Sequence, residues 1–109
     1  MKFPRLMRVK QQFEAPTVDD IPGAIRSEMG KLDLGSRVAK GDSVAISVGS
    51  RGIANIALIA KSIIDELKAL GAEPFVVPAM GSHGGGTAAG QRAIIESYGV
   101  TEDFIGAVD

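Results

Sequence analysis

Apolar and polar positions change period several times along the chain, and each change marks an element. From Leu6 to Phe13 they alternate: Met7, Val9 and Phe13 fall on one side, Arg8 and Lys10 on the other, which predicts a half-exposed strand. Thr17-Val-Asp-Asp20 reads as a capping box, with a carboxylate three residues after the threonine. Pro22 suits a first helical turn, where a missing N–H is no loss. Ile21, Ile25, Met29 and Leu32 recur near helical spacing and predict a short helix ending near Lys31.

Lys40-Gly-Asp42 is a turn that delivers the chain into Val44–Val48, apolar almost throughout, as expected of a strand in a sheet covered on both faces. Gly49-Ser-Arg-Gly52 interrupts it. Asn55 is the expected cap of a helix whose Ile56, Ile59, Ala60, Ile63, Leu67 and Leu70 form one stripe, with Gly71 as its left-handed stop. Pro74–Pro78 is a third strand, followed by a glycine-rich loop. Thr87 caps a helix carrying Ile94, Ile95 and Tyr98, Gly99 ends it, and Thr101 opens one further turn through Phe104.

Strands alternating with helices across connections of this length require crossovers between adjacent parallel strands. The expected fold is therefore α/β, a three-layer Rossmann-like parallel sheet with helices on both faces. Residues 1–109 read as a single α/β domain. Three strands are few for a parallel sheet, and Ile105–Asp109 offers no closing element, so the chain is expected to be the amino-terminal domain of a larger two-domain protein.

Composition narrows the partners. A chain that is 45% hydrophobic and 23% charged has the apolar content to offset the entropy of ordering. Twelve basic against 13 acidic residues give no long-range field toward nucleic acid or an anionic membrane, so neither is expected as a partner. No apolar run has the length of a signal-peptide core or a membrane span, and a cytoplasmic protein is expected. The absence of cysteine excludes disulfides, thiolate nucleophiles and cysteine-ligated metals from this sequence.

The chemistry concentrates in two loops. In an open parallel sheet, ligands bind where strand ends lead into helices, and Gly49–Ala54 and Met80–Gly86 are both such loops. On adjacent strands, about 4.8 Å apart, they would bring Arg51 and the lone histidine, His83, into one crevice. A neutral imidazole there is suited to general-base work, and glycines let backbone amides approach an anion. Loop composition alone leaves His83 equally open to being a solvated ring in an ordinary turn, and Ser50 and Ser82 to being turn residues.

Familiar motifs do not account for these glycines. Gly81–Thr87 has Walker A spacing, but Thr87 stands where the phosphate-binding lysine belongs. His83-Gly-Gly-Gly86 matches an esterase oxyanion loop, yet no serine lies in a Gly-x-Ser-x-Gly elbow. Neither loop reads G-x-G-x-x-G.

Strand, Gly-Ser-Arg-Gly, amphipathic helix, strand and Gly-Ser-His before a helix together resemble the amino-terminal domain of nickel-dependent lactate racemases and their relatives, over about Val38 to Val100. In that family the first loop typically reads Asp-x-Thr-Arg-Pro and the second Gly-x-His-Arg. Ser50, Arg51 and His83 fall on the threonine, arginine and histidine, while Val48, Gly52 and Gly84 depart from the aspartate, proline and second arginine. The resemblance implies an isomerase, a racemase or epimerase of a small-molecule 2-hydroxy acid working with a nickel-pincer mononucleotide. It implies that His83 is a catalytic acid/base and that Gly49, Ser50 and Arg51 bind cofactor or substrate anion. It places the cofactor-tethering lysine and the nickel-ligating histidine in a carboxyl-terminal domain beyond these residues, so no metal ligand is assigned here. The reading set against it is a non-enzymatic module whose glycine loops hold a nucleotide or phosphate.

Overall fold

The computed structural model describes residues 1–107. Helix α1 (Ile21–Gly30), strand β1 (Ser43–Val48), helix α2 (Ile56–Ala69), strand β2 (Glu73–Pro78), helix α3 (Ala88–Ser97) and the short helix α4 (Glu102–Ile105) follow one another, with single 3₁₀ turns at Leu34–Ser36 and His83–Gly86. The class is α/β. Strands β1 and β2 form a two-stranded parallel sheet in register from Ser43 opposite Glu73 to Val48 opposite Pro78. Among the described residues no helix is long and apolar enough to cross a membrane.

Local chemistry sets most boundaries. The Thr87 hydroxyl accepts from the Gly90 amide at 3.1 Å and caps α3, and Thr101 caps α4 by accepting from the Phe104 amide. Gly71 and Gly99, at φ +87° and +88°, stop α2 and α3 in the left-handed conformation that residues with a Cβ avoid. Two expected caps differ. The cap of α1 is Asp20, whose carboxylate accepts from the Gly23 amide at 3.0 Å; Thr17 lies a turn too early. Asn55 precedes α2 in a left-handed conformation and makes no side-chain cap, so it serves by tolerating a positive φ.

The core is one cluster. Ile64 of α2, Val76 of β2, Ile95 of α3, Val100 and Ile105 are almost wholly buried and pack with Val48 and Ala107. All of these helical residues meet the sheet face that carries Val48 and Val76. The opposite face, with Ser43, Ala45, Ser47, Glu73 and Phe75, is exposed, so the described residues build two layers. The expected strand at Leu6–Phe13 is also not formed: that segment has no partner strand, and Met7, Val9 and Phe13 are 84%, 74% and 76% exposed. Alternation supplies a strand-compatible surface, but a ladder needs a neighbour, and none lies beside this segment in the structure.

Candidate active site at the carboxyl ends of the strands

The register of β1 and β2 places the first residues after each strand side by side. Val48 pairs with Pro78, and the ladder continues one step as the Ala79 amide donates to the Val48 carbonyl at 2.8 Å. Loop one, Gly49 to Asn55, and loop two, Ala79 to Thr87, therefore leave the sheet together. Gly49 is the spacer between β1 and Ser50; a Cβ built on it would make only an ordinary 3.9 Å contact with the Ala79 carbonyl.

The two loops meet through His83. Its Nδ1 is hydrogen-bonded to the Ser50 hydroxyl, and its Nε2 to the Arg51 guanidinium at 3.0 Å. These partners fix the tautomer. A guanidinium can only donate, so Nε2 must be the acceptor; the ring proton then sits on Nδ1 and is donated to the Ser50 oxygen. Ser50 is consequently not a serine activated by a histidine base, because the nitrogen it faces carries the proton. The lone pair able to take a proton is on Nε2, and Arg51 lies against it. His83 is half-buried while Arg51 is exposed. No carboxylate among the described residues pairs with Arg51, whose charge is thereby open to an anion.

Loop two is braced from behind. His83–Gly86 forms a turn in which Gly84, Gly85 and Gly86 all have φ between +61° and +68°, so His83 stands one turn before α3 and not at its first residue. Thr87 ties the turn to α3, donating its hydroxyl to the Gly84 carbonyl at 3.1 Å while accepting from the Gly90 amide. A Cβ at Gly84 would overlap the Gly90 carbonyl group and lie 2.6 Å from the Gln91 nitrogen; a Cβ at Gly90 would overlap the Gly84 carbonyl. Gly84 and Gly90 are thus packing glycines, required by backbone touching backbone. Gly85 and Gly86 face open space.

The sequence places Arg51 and His83 in one crevice, and the structure brings their side chains together, with Ser50 on the other ring nitrogen. Sequence reasoning missed two supports. The Tyr98 hydroxyl donates to the Ser50 carbonyl at 2.8 Å, tying the end of α3 to loop one. The Gln91 side chain donates to the Gly81 carbonyl at 2.9 Å, fixing the approach to His83. Gln91 was findable as the polar residue in the first turn of a helix that follows its own loop. Tyr98 gave no local signal, because its partner lies 48 residues earlier.

Among the described residues no group of three or more His, Cys, Asp or Glu is placed to hold a metal ion. What the two loops bring together is an imidazole and a cation. Comparison of the chain with protein-family models, with curated proteins and with solved structures finds no match.

Proposed function

We propose that this chain contributes one side of a site that transforms 2-hydroxy acids, as the amino-terminal, cytoplasmic half of a racemase-like isomerase. The observation that carries the reading is the His83 ring itself, held at both nitrogens, with its basic Nε2 against the Arg51 guanidinium at 3.0 Å. A substrate carboxylate is the natural competitor for Arg51, since a charge-assisted pair with a carboxylate is stronger than a bond to a neutral imidazole. Drawing Arg51 toward the carboxylate frees Nε2 beside the adjacent hydroxyl. His83 then takes the hydroxyl proton on Nε2 while Nδ1–H stays on Ser50, and it returns the proton when the alcohol re-forms. The hydride leaving the same carbon needs an electron-pair acceptor, which a nickel-pincer nucleotide supplies when bound. Its metal-ligating histidine would come from the other domain, as the resemblance implies. Return of the hydride to the opposite face needs a second proton acceptor, and this chain has one histidine. In the two-domain protein, further elements would cover the exposed face at Ala45, Ser47 and Phe75, giving the three-layer Rossmann-like arrangement.

His83→Gln in the full-length protein tests the reading. Glutamine retains hydrogen bonding but cannot accept the proton, and hydroxy-acid turnover is expected to fall at least about 100-fold, in the range of general-base contributions. Turnover surviving within about tenfold, with phosphate binding unchanged, overturns it in favour of a non-enzymatic anion-binding module.

A further inference from the structure

The segment Leu6–Phe13 lies apart from the body. The radius of gyration is 18.7 Å and the longest extent 68 Å, against about 13 Å for the radius of a compact chain of this length, and Leu6, Met7, Val9 and Phe13 are all at least 74% exposed. At the same time the body has a vacant place of matching pattern. The outer edge of β1 has no strand beside it among the described residues. On the covered face next to that edge, α2 overhangs a cleft of about 130 Å³ lined by Ile46, Val48, Ile53, Ile56, Ile59 and Ile63. An added strand there would need apolar side chains toward α2 and polar ones toward the exposed face. From Met7 to Phe13, six of seven positions meet that requirement: Met7, Val9 and Phe13 on one side and Arg8, Lys10 and Gln12 on the other, with Gln11 the exception on the apolar side.

The connection also fits. Helix α1 runs alongside α2 in the same direction: Ile21 and Ile25 share a cleft with Ile59, Arg26 pairs with Glu66 at 2.9 Å, and Gly30 lies near Leu70. The start of α1 is therefore at the carboxyl end of β1. A strand ending at Phe13 and joined to α1 through Glu14–Asp20 must run parallel to β1, making strand, α1 and β1 a βαβ unit like β1, α2 and β2. A spacer of seven residues can span up to roughly 24 Å, close to the usual length of such loops. Right-handed crossovers stepping one way across a sheet leave their helices on one face; α2 and α3 lie there, and α1 packs along α2. Residues 1–13 carry four basic and no acidic side chains, and the remainder carries 8 basic and all 13 acidic ones, so the approach is favourable.

We propose that Leu6–Phe13 docks as a third, parallel strand on the outer edge of β1 of its own chain, closing the cleft over α2. The tether favours the chain's own segment over that of a second copy through its high effective concentration.

Amide hydrogen exchange followed by NMR on the whole chain, at two protein concentrations tenfold apart, tests this. Amides within Met7–Phe13 are expected to exchange at least about 100-fold more slowly than in an unstructured peptide, equally at both concentrations. Alternate residues of a parallel strand direct their backbone bonds to one neighbour, so one of Arg8→Pro and Val9→Pro is expected to abolish the protection while the amide of Val76 stays protected. Unstructured exchange rates throughout Leu6–Phe13 in the unaltered chain overturn the proposal. Protection that grows with concentration also overturns it, by identifying a second copy as the occupant.

Discussion

The two loops that build the crevice are alike in composition and opposite in construction. Loop one offers Gly49 and Gly52, and a Cβ at either meets nothing closer than 3.9 Å; its shape is maintained from outside, by His83 on the Ser50 hydroxyl and Tyr98 on the Ser50 carbonyl. Loop two is locked by its own backbone, with Gly84 seated on Gly90 and Thr87 bridging them. Glycine richness therefore has two causes in one site: close approach in loop two, conformational freedom in both. The histidine is on the side braced by its own backbone and the arginine on the side held from outside, the arrangement expected if Arg51 must move to meet an anion while the imidazole stays still.

Gly84→Ala has the largest expected effect on stability. The new methyl meets main-chain atoms that cannot rotate away, and φ is +61°. Overpacking of about 1–3 kcal/mol adds to left-handed strain of about 1–2 kcal/mol, so a loss near 3 kcal/mol or more is expected in chemical denaturation. Gly90→Ala probes the same seam from the helix side. Alanine is the better helix former by about 1 kcal/mol, yet overlap with the Gly84 carbonyl should reverse the sign. A stabilised Gly90→Ala protein would show that the seam is not close-packed.

A matched pair comes next. Gly52 in loop one and Gly86 in loop two have φ of +61° and +68° and open space around them. Alanine at either should cost only the backbone strain, about 1–2 kcal/mol, and nearly the same amount in both. Unequal losses measured side by side would mean that the loops differ by more than the Gly84–Gly90 contact.

Tyr98→Phe removes the outside support of loop one while leaving loop two intact. The hydroxyl makes one hydrogen bond from a residue that is 46% exposed, so stability should fall by only about 0.5–1 kcal/mol. The sharper readout is local: amide exchange at Ser50–Gly52 should accelerate while that of Gly84–Gly90 stays constant. Equal acceleration in both loops would refute the division between them.

Much of this was legible from sequence because it is local. Thr87 and Thr101 cap, and Gly71 and Gly99 stop helices, through bonds or dihedrals confined to a few residues. Parallel register brings the two loops together, but Arg51 stands three residues past Val48 and His83 five past Pro78, so the turns of the loops themselves align the two side chains. Illegible features depend on what lies opposite. Leu6–Phe13 has a strand's pattern without a strand's neighbour, and the apolar run Val44–Val48 has helices on one face only. Gly84 looked like a residue chosen for a ligand's approach; the group it admits is the backbone of α3.

Gly49→Ala has the smallest expected effect and the most specific meaning. Gly49 lacks the positive φ of Gly52, and its Cβ would stand 3.9 Å from the Ala79 carbonyl, an ordinary contact. With no clash and no strain, the main consequence is a less disordered unfolded chain, worth about 0.4–1 kcal/mol of stabilisation. A small rise in the denaturation midpoint with unchanged slope is therefore expected. If the alanine protein is instead destabilised by more than about 1 kcal/mol, a size expected of clash or strain, the first turn out of β1 is as tightly built as the seam behind His83, and the side of the crevice held from outside does not begin at Gly49.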